Sequence, residues 1–311
     1  MEKEKPVLAG KFPIVTKTPA VIAEARQENP ANILIPNQER LDSLIINFKE
    51  QGKDNIHVLA DFDRTLTKFA IKGEKITSLI AILRKENLLN DEYSKTVGEL
   101  FDKYHPIEID PKIPINEKKE KMAEWWRLHN DELIKHKLNK KNLEQVINSG
   151  KVQFREGTLE FLDILKQQNI PLIIMSSSGL GTYTISRFLE KKGKLFDNIQ
   201  IISNSFEFDK EGNVIKFNEP VIHSLNKDET VVKDFPEIFE QIKNKKNVIL
   251  LGDNLEDIGM IEGFDYDNLI KIGFLNENVE ENLPEFTKNF DVIILNDGEM
   301  DFVNNLLKEI V

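Results

Sequence analysis

The chain has 311 residues, of which 40% are hydrophobic and 31% charged, so it is long enough for one large domain or two medium ones around an apolar core. Its net charge of −11 argues against a surface for nucleic acid or anionic membranes, and the absence of cysteine excludes disulfides, cysteine nucleophiles and thiolate metal sites. No apolar run approaches the ~20 residues of a membrane span, and the first residues lack the pattern of a signal peptide. We therefore expect a cytoplasmic protein.

The first part of the chain contains an extension followed by a helix. Residues 1–36 include five prolines and are expected to wrap a surface. Apolar residues then recur at helical spacing over 41–48, and Gly52 is placed to end the helix. The apolar run 58–60 that follows predicts a short buried strand.

This strand stops at two carboxylates, Asp61 and Asp63. Residues two apart in an extended chain share one face. Two like charges about 4 Å apart repel by roughly 4 kcal/mol at an effective dielectric constant of ~20, so a divalent cation with oxygen ligands is a natural partner for the pair. An acidic, solvated turn at the end of the strand is the alternative interpretation of this stretch alone.

Residues 68–150 have a different character, because they are rich in lysine and glutamate and show helical periodicity without a convincing strand. We predict a helical insertion, with residues 70–73 running directly into a helix and residues 104–111 kept non-helical by two prolines. Trp125 and Trp126 lie on one helix of the insertion. Neighbouring residues on a helix do not face each other, so one ring is expected to be buried and the other to point elsewhere.

From about residue 154 onward, helical segments alternate with continuous apolar runs, and a hairpin is predicted to turn at 210–213. This pattern is typical of the α/β class, with a largely parallel sheet covered by helices on both faces. Besides the strand before Asp61, two buried strands end in polar residues, one at 176–179 and one at 253–257. Open parallel sheets bind ligands beyond the carboxyl ends of their strands, so we expect these clusters to converge.

Together the clusters contain what phosphate chemistry needs. Asp61, Asp253 and a backbone carbonyl near Asp63 can supply oxygen ligands to Mg²⁺, and Asp61 can then attack a bound phosphate. Asp63 can protonate the leaving oxygen, while Ser176 and the amides after it can hold phosphate oxygens and Lys227 can balance the remaining charge. Taken alone, each feature has a plainer explanation, such as a common loop, a solvated lysine or a helix cap. Their joint occurrence at strand ends favours a catalytic site.

Several segments of the chain carry a family resemblance. They are Asp61-Phe-Asp63-Arg-Thr65-Leu, Met175-Ser176, Lys227, Gly252-Asp253-Asn254-Leu-Glu-Asp257, residues 104–111, Glu124-Trp-Trp126, Phe154-Arg-Glu-Gly157, residues 222–227 and residues 269–276. The first four resemble the motifs of the haloacid-dehalogenase (HAD) superfamily of phosphohydrolases. From about Leu41 to the C-terminus, the chain resembles the cytosolic pyrimidine 5'-nucleotidase family, which includes members specific for 7-methylguanosine phosphate.

The resemblance implies a Rossmann-like core, formed by residues 37–67 and 151–311, with a helical cap at 68–150. It also implies a Mg²⁺-dependent 5'-nucleotidase that hydrolyses nucleoside 5'-monophosphates of the pyrimidine or 7-methylguanosine type. A phosphatase or phosphotransferase acting on another small phosphate monoester is the alternative. We expect a small-molecule nucleotide as the partner, with no nucleic acid or membrane, and a monomer or weak homodimer.

The same resemblance assigns expected roles to individual residues. Asp61 would be the nucleophile that forms an aspartyl-phosphate, and Asp63 the general acid and base. The expected metal-binding residues are Asp61, Asp63 and Asp253, with Asp257 and Thr65 in support. The residues expected to bind substrate are Ser176, Ser177 and Lys227 at the phosphate, and Glu108 with Trp125 or Trp126 at the base. Because the serine turn is one residue longer than usual in the family, Ser178 is an alternative to Ser177.

Overall fold

The computed structural model of the protein describes residues 32–76, 78–227, 232, 235–262 and 265–311. The extension predicted for residues 1–36 therefore lies outside the described residues as far as position 31. The strands in the described part of the chain are β1 (Ile33–Leu34), β2 (Ile56–Ala60), β3 (Ala70–Ile71), β4 (Glu74–Lys75), β5 (Leu172–Ser176), β6 (Ile199–Ser203), β7 (Phe206–Phe208), β8 (Val214–Phe217), β9 (Asn247–Gly252), β10 (Asn268–Leu275) and β11 (Val292–Leu295).

The α-helices of the described residues are α1 (Gln38–Gln51), α2 (Leu79–Lys85), α3 (Asp91–Ile109), α4 (Ile115–Lys135), α5 (Lys140–Asn148), α6 (Thr158–Gln168), α7 (Gly181–Lys191), α8 (Pro236–Ile242), α9 (Val279–Asn289) and α10 (Asp301–Ile310). They lie between and after these strands, and five of them, α2 to α6, follow one another between β4 and β5. Short 3₁₀ helices cover Ser224–Asn226 and Leu255–Ile261. Within the described residues, none of the helices combines the length and the apolar composition that crossing a bilayer requires.

The main sheet has the strand order β1-β11-β10-β9-β2-β5-β6. Neighbouring strands are parallel, apart from the antiparallel edge pair β1–β11. From β2 the chain first moves outward through β5 and β6, and it later returns to the other side of β2 through β9. The strand order thus reverses at the carboxyl ends of β2 and β9, which is where open α/β sheets bind their ligands.

Helices cover both faces of the sheet, and the side chains of β2 show why its sequence is a continuous apolar run. Val58 and Ala60 belong to the core under α1, α6, α7 and α10, whereas Leu59 belongs to the core under α8 and α9. All five residues of β2 and all six of β9 are buried. Full burial of a Val or Leu side chain is worth about 1.5–3 kcal/mol. The predicted α/β class with a mostly parallel sheet is confirmed.

The helix predicted from residue 41 onward is α1. Asn37 caps it by accepting a hydrogen bond from the backbone N–H of Arg40 at 3.0 Å. Its buried stripe is formed by Leu41, Leu44, Ile45 and Phe48. The helix ends at Gly52, whose φ of 78° is readily adopted by glycine.

Residues 68–150 are mainly helical, but two local expectations were wrong. Residues 70–73 do not run into a helix, because β3 and β4 pair as a small antiparallel hairpin. Lys72 and Gly73 have φ values of 52° and 82°, and two successive positive φ angles form the tight turn that matches the twist of a hairpin. The separation of this region from the core as a cap domain stays a prediction.

The second wrong expectation concerns residues 104–111, since α3 continues through Pro106 to Ile109. A proline inside a helix removes one N–H donor, and here it stands in the last turn, where little of the helix remains to be disrupted. Tyr104 anchors this turn, because its ring is buried and its hydroxyl donates to Glu124 Oε1 on α4 at 2.6 Å. Glu108 is therefore a helical residue.

Candidate active site

Three strand ends meet at the centre of the sheet. β2 lies between β9 and β5, and the register aligns Ala60 with Leu251 and with Ile174. The polar residues that follow these strands therefore lie together, as the sequence predicted. They line a cleft of about 650 Å³, to which Asp61, Asp63, Glu108, Ser176, Ser177, Lys227, Asp253 and Asp257 all contribute.

Lys227 is a buried cation that lines this cleft. Its buried ammonium donates to Asp61 Oδ1 and, at 3.0 Å, to Asp257 Oδ1. Buried lysines are rare unless they are paired, and here two carboxylates from separate segments provide the partners. The plainer interpretation of Lys227 as a solvated lysine is excluded, because its side chain is only 6% exposed.

Asp257 organises the turn after β9. Its Oδ2 accepts hydrogen bonds from the backbone N–H groups of Asp253 at 3.0 Å and Asn254 at 3.1 Å. A Cβ atom on Gly252 would lie 2.5 Å from the Cβ of Asp257, so glycine is needed for this close approach. Both oxygens of Asp257 are thus engaged in holding neighbouring groups.

The carboxyl groups of the cleft have raised pKa values. Burial raises the pKa of Asp61 to about 7, although the charge of Lys227 opposes this shift. Burial also raises the pKa of Asp63 to about 6 and, with the charges of Asp257 and Asp61, holds that of Asp253 well above its usual range. For Lys227, burial disfavours the charged form, but the two carboxylates beside it outweigh burial and raise its pKa.

This surplus of negative charge fits a divalent cation. Carboxylate oxygens of Asp61, Asp253 and Asp257 all lie within 4.8 Å of one another. Such hard oxygen donors suit Mg²⁺, which binds one or two protein carboxylates and keeps several other oxygen ligands. Because both oxygens of Asp257 already accept hydrogen bonds, Asp61 and Asp253 are the better candidates for direct ligands. The carboxyl of Asp63 is outside this trio.

The chain after Asp61 forms a wide helical turn over Phe62–Leu66, in which Arg64 has a φ of 65°. Thr65 is fully buried, and among the described residues its hydroxyl has no hydrogen-bond partner. Its carbonyl oxygen accepts from Arg155 Nε at 2.8 Å. Thr65 is therefore bound to Arg155 through its backbone carbonyl, and not through its hydroxyl.

The serine turn after β5 presents two of its three serines to the cleft. Ser176 and Ser177 line the cleft, whereas Ser178 is turned into the protein. The hydroxyl of Ser178 accepts from the backbone N–H of Leu180 at 3.4 Å, and its carbonyl accepts from Asn204 Nδ2 at 3.2 Å. Of the two alternatives for the second phosphate donor, Ser177 has the better position.

A smaller, mainly apolar cavity of about 170 Å³ lies beside the cleft. The two spaces share the lining residues Ser78, Glu108, Ser177 and Ser224, so they adjoin each other. Glu108 stands at the junction, where its Oε1 accepts from the hydroxyl of Ser224 at 2.7 Å. The carboxylates and the aromatic wall of the cavity therefore lie on either side of Glu108 and Ser224.

Both tryptophans line this cavity, so the expectation that they would point to different places was wrong. Their rings are 6.3 Å apart and inclined by only 20°, because two large indoles can lean together although their Cβ atoms diverge. Trp126 also lies against Gly179 of the serine turn, where a Cβ atom would come within 2.3 Å of the indole. The indole N–H of Trp125 is buried and lacks a hydrogen-bond partner among the described residues.

A protein-family model described as Pyrimidine 5'-nucleotidase (UMPH-1) matches residues 64–311. The chain belongs to this family. The 7-methylguanosine phosphate-specific 5'-nucleotidase A of Xenopus laevis is 36% identical to it over 271 residues, which cover 87% of this chain and 92% of the relative. The enzyme of the same description from Homo sapiens is 33% identical over 282 residues, or 90% of this chain and 93% of the relative.

Solved structures agree with this assignment. The crystal structure of cytosolic 5'-nucleotidase IIIB bound to cytidine matches with a TM-score of 0.83 at 27% identity, covering 92% of this chain and 95% of that one. A HAD family hydrolase from Salmonella enterica matches with a TM-score of 0.51 at 16% identity, covering 82% and 71%, which supports the fold alone. The predicted family and HAD fold are confirmed, and this pyrimidine 5'-nucleotidase family member is a phosphoric monoester hydrolase.

Phe101 and Arg84, which the sequence did not assign to the site, line the cavity of this 5'-nucleotidase beside the tryptophans. His129 lines it as well, at the position where the family resemblance left a substrate-contacting serine either missing or replaced by this histidine. His129 Nε2 lies 2.9 Å from the hydroxyl of Tyr93, and burial, helped by the charge of Arg84, lowers the pKa of His129 to about 3. The helical spacing of Trp126 and His129 could have indicated a shared face, since residues three apart on a helix are neighbours.

Proposed function

We propose that this 5'-nucleotidase hydrolyses nucleoside 5'-monophosphates with Mg²⁺ and prefers 7-methylguanosine 5'-monophosphate, with cytidine 5'-monophosphate as a further substrate. The observation that carries the proposal is that the two spaces adjoin. A centre of carboxylates, serines and a lysine, suited to a phosphate, lies beside an aromatic cavity bordered by Glu108. One nucleotide would span both.

The lining of the cavity supports the choice of base. An aromatic side chain stacked on a base contributes roughly 1–3 kcal/mol, and Phe101, Trp125 and Trp126 offer such rings. The 7-methylguanine ring carries a positive charge, which aromatic faces and the carboxylate of Glu108 both attract. A carboxylate can also accept from the exocyclic amine of cytosine. The relatives named for 7-methylguanosine phosphate and the relative bound to cytidine are consistent with both bases.

In the first half of the reaction, a carboxylate oxygen of Asp61 attacks the phosphorus and the bond from phosphorus to O5' breaks. Lys227 holds the other oxygen, Oδ1, and so fixes the orientation of the nucleophile. The electrons of the broken bond remain on O5', which takes a proton from Asp63. Burial favours this role, because it raises the pKa of Asp63 to about 6. At a given pH, a larger fraction of this carboxyl is therefore protonated than of an exposed one.

In the second half, Asp63 is a carboxylate and removes a proton from water, whose oxygen attacks the phosphorus of the aspartyl-phosphate. The bond between Asp61 and phosphorus breaks, inorganic phosphate is released and both carboxyl groups return to their initial states. Ser176 and Ser177 hold phosphate oxygens through their hydroxyl groups during both steps.

Asp61, Asp253 and the backbone carbonyl of Asp63 would hold the Mg²⁺ ion, with Asp257 fixing the turn that carries Asp253. When bound, the ion would offset the charge of the carboxylates and of the phosphate and polarise the phosphoryl group. We also propose a cytoplasmic location, in agreement with the name of the cytosolic relative.

A phosphate-release assay tests the proposal. The substrates are 7-methylguanosine, cytidine, uridine, guanosine and adenosine 5'-monophosphates, with ribose 5-phosphate as the control that lacks a base. We expect the highest kcat/KM for 7-methylguanosine 5'-monophosphate, the next for the cytidine nucleotide, and no turnover when EDTA removes Mg²⁺. Faster turnover of ribose 5-phosphate than of every nucleotide would instead favour the alternative, a phosphatase of another small monoester. Formation of a new nucleotide from an added nucleoside would indicate phosphotransfer.

A further inference from the structure

Arg155 is a buried cation outside both cavities. It follows α5 in the chain and precedes α6, it is only 2% exposed, and it lines neither the catalytic cleft nor the aromatic cavity. Burial lowers its pKa to about 10, against the opposing charges of Asp297 and Asp253, so it stays protonated at neutral pH. Such a group is unfavourable in a protein interior unless all its donors are used.

The guanidinium of Arg155 uses its donors on several segments of the chain. Its partners are the carbonyl oxygens of Arg64, of Thr65 at 2.8 Å and of Gly298 at 2.7 Å, and the side-chain oxygens of Asn276 and Asp297, each at 3.0 Å. Its carbon Cζ also lies 4.3 Å from the centre of the Phe274 ring. A guanidinium has five donors in a fixed planar arrangement, and here it donates to two successive carbonyls. This arrangement fixes the position of the backbone, whereas an apolar side chain would be enough to fill the space.

Those two carbonyls belong to the turn that directly follows Asp63. Arg64 adopts a φ of 65°, a conformation that residues other than glycine, asparagine and aspartate rarely take. Arg155 and Asn276 Nδ2, at 3.1 Å, both donate to the carbonyl of Arg64 and so hold this conformation in place. Because Asp63 is bonded to Arg64, the direction of its carboxyl depends on the same turn.

Asp297 extends the hydrogen-bond network of Arg155 to the end of the loop between β2 and β3. One of its oxygens contacts Arg155 and accepts from the backbone N–H of Phe69 at 2.8 Å, and the other accepts from that of Ala70 at 3.1 Å. Asp297 follows β11 and Asn276 follows β10, so the guanidinium joins two strand ends to the loop after β2. The whole segment between Asp63 and β3 is thereby tied to the rigid sheet.

We propose that Arg155 is a positioning residue that aims the carboxyl of Asp63 at the leaving oxygen by holding the backbone of Arg64 and Thr65. This inference rests on the proposed function, in which Asp63 is the general acid. It differs from a purely structural role, because it predicts a defect in the first phosphoryl transfer that depends on the leaving atom. Protonation matters for an alkoxide leaving group and much less for a thiolate, which leaves without a proton.

The test uses the full-length variants Arg155→Lys and Asp63→Asn with a cytidine 5'-monophosphate and its analogue in which sulfur replaces O5'. For Arg155→Lys we expect kcat/KM for the natural nucleotide to fall by about 100-fold, since a misplacement of about 1 Å can have this effect. We expect kcat/KM for the sulfur analogue to fall by less than about fivefold, because kcat/KM covers only the steps up to the loss of the leaving group, and a thiolate leaves without a proton from Asp63. The later hydrolysis of the aspartyl-phosphate, in which Asp63 is the base, is common to both substrates and affects kcat alone.

Two further variants make the outcome unambiguous. Asn276→Ala removes one of the two donors to the carbonyl of Arg64 and should show the same selectivity with a smaller loss. Arg187→Lys, whose partners Glu144 and Glu190 lie on α5 and α7, should leave both rates unchanged. Circular dichroism checks that each variant is folded, and Asn276→Ala carries the test if Arg155→Lys does not fold.

Equal losses of kcat/KM on both substrates in the folded variants would overturn the role of Arg155. If Asp63→Asn shows the selective loss of kcat/KM and the Arg155 and Asn276 variants do not, this inference fails while the proposed role of Asp63 stands. If Asp63→Asn loses kcat/KM equally on both substrates, the proposed role of Asp63 as general acid fails first.

Discussion

Replacing Lys227 by methionine should destabilise the folded protein strongly and in a pH-dependent way. Lys227 is the buried partner of Asp61 and Asp257, and all three side chains are at most 6% exposed. Removing one member of a buried ion pair leaves an uncompensated charge and typically costs about 3–5 kcal/mol. Methionine has a similar length and no charge, so the loss reports on the charge more than on a cavity.

Protonation of the remaining carboxyl groups limits this loss. Keeping a carboxyl neutral costs about 1.4 kcal/mol for each pH unit above its ordinary pKa of about 3.9, which is about 5 kcal/mol at pH 7.5 and about 2 kcal/mol at pH 5.5. Asp61 already has a raised pKa of about 7, so near pH 5.5 it is largely protonated and needs Lys227 less. The folded-state pKa is above the unfolded one, and the stability of the variant is therefore lost as the pH rises.

Urea denaturation followed by circular dichroism measures the effect at both pH values. We expect Lys227→Met to lose about 3–5 kcal/mol at pH 7.5 and about 2 kcal/mol or less at pH 5.5, with partial recovery when Mg²⁺ is added. Lys216→Met is the matched control, because Lys216 is 63% exposed and its pair with Glu207 should contribute below about 1 kcal/mol. Similar small losses in both variants, or a larger loss at the lower pH, would refute the reasoning.

Three further predictions concern Glu108, Gly252 and His57. Glu108→Gln should lower kcat/KM for 7-methylguanosine 5'-monophosphate by about 10–100-fold, as expected for a lost charged hydrogen bond, and should leave ribose 5-phosphate turnover unchanged; equal losses on both would contradict its role at the base. Gly252→Ala should displace Asp257, whose Cβ would be 2.5 Å from the new methyl group, and weaken Mg²⁺ binding in calorimetry, whereas Gly259→Ala, with no atom within 4 Å of the new methyl group, should not. Burial lowers the pKa of His57 to about 4, and an unfolded histidine binds its proton near pH 6.5, so acidification between these values should favour unfolding by up to about 1.4 kcal/mol per pH unit. The difference in unfolding free energy between the wild type and His57→Phe should therefore narrow as the pH falls, and a constant difference would exclude this explanation.

The sheet and the convergence of the polar clusters could be predicted from the sequence for a physical reason. Strands buried on both faces need continuous apolar runs, and parallel strands place the residues that follow them at one edge. Asp61, Ser176 and Asp253 were therefore expected to meet, although Asp61 and Ser176 are more than a hundred residues apart in the sequence. The strands β2, β5 and β9 bring them together.

The errors arose where a local rule met tertiary structure. Pro106 was expected to interrupt a helix, but a single missing donor in the last turn is offset by the packing of Tyr104 and its hydrogen bond to Glu124. Trp125 and Trp126 were expected to diverge, yet both rings line the same cavity, because two large indoles can lean together although their Cβ atoms diverge.

The proposed positioning role of Arg155 could not be identified from the sequence. Its contacts join residues up to 143 positions away, and most of its acceptors are backbone carbonyls, which every residue possesses. Periodicity and motif spacing report on local geometry and on side-chain chemistry. They contain no information on which carbonyl a distant guanidinium will meet.

The central claim is that Asp61 carries the phosphoryl group during turnover. The most direct measurement is to mix the enzyme with 7-methylguanosine or cytidine 5'-monophosphate and Mg²⁺, quench with acid within milliseconds, and locate the phosphorylated residue by mass spectrometry. We predict phosphate on the peptide that contains Asp61 and none in Asp61→Asn, which should be folded and inactive. Full turnover by Asp61→Asn, or phosphate on a different residue, would contradict the account.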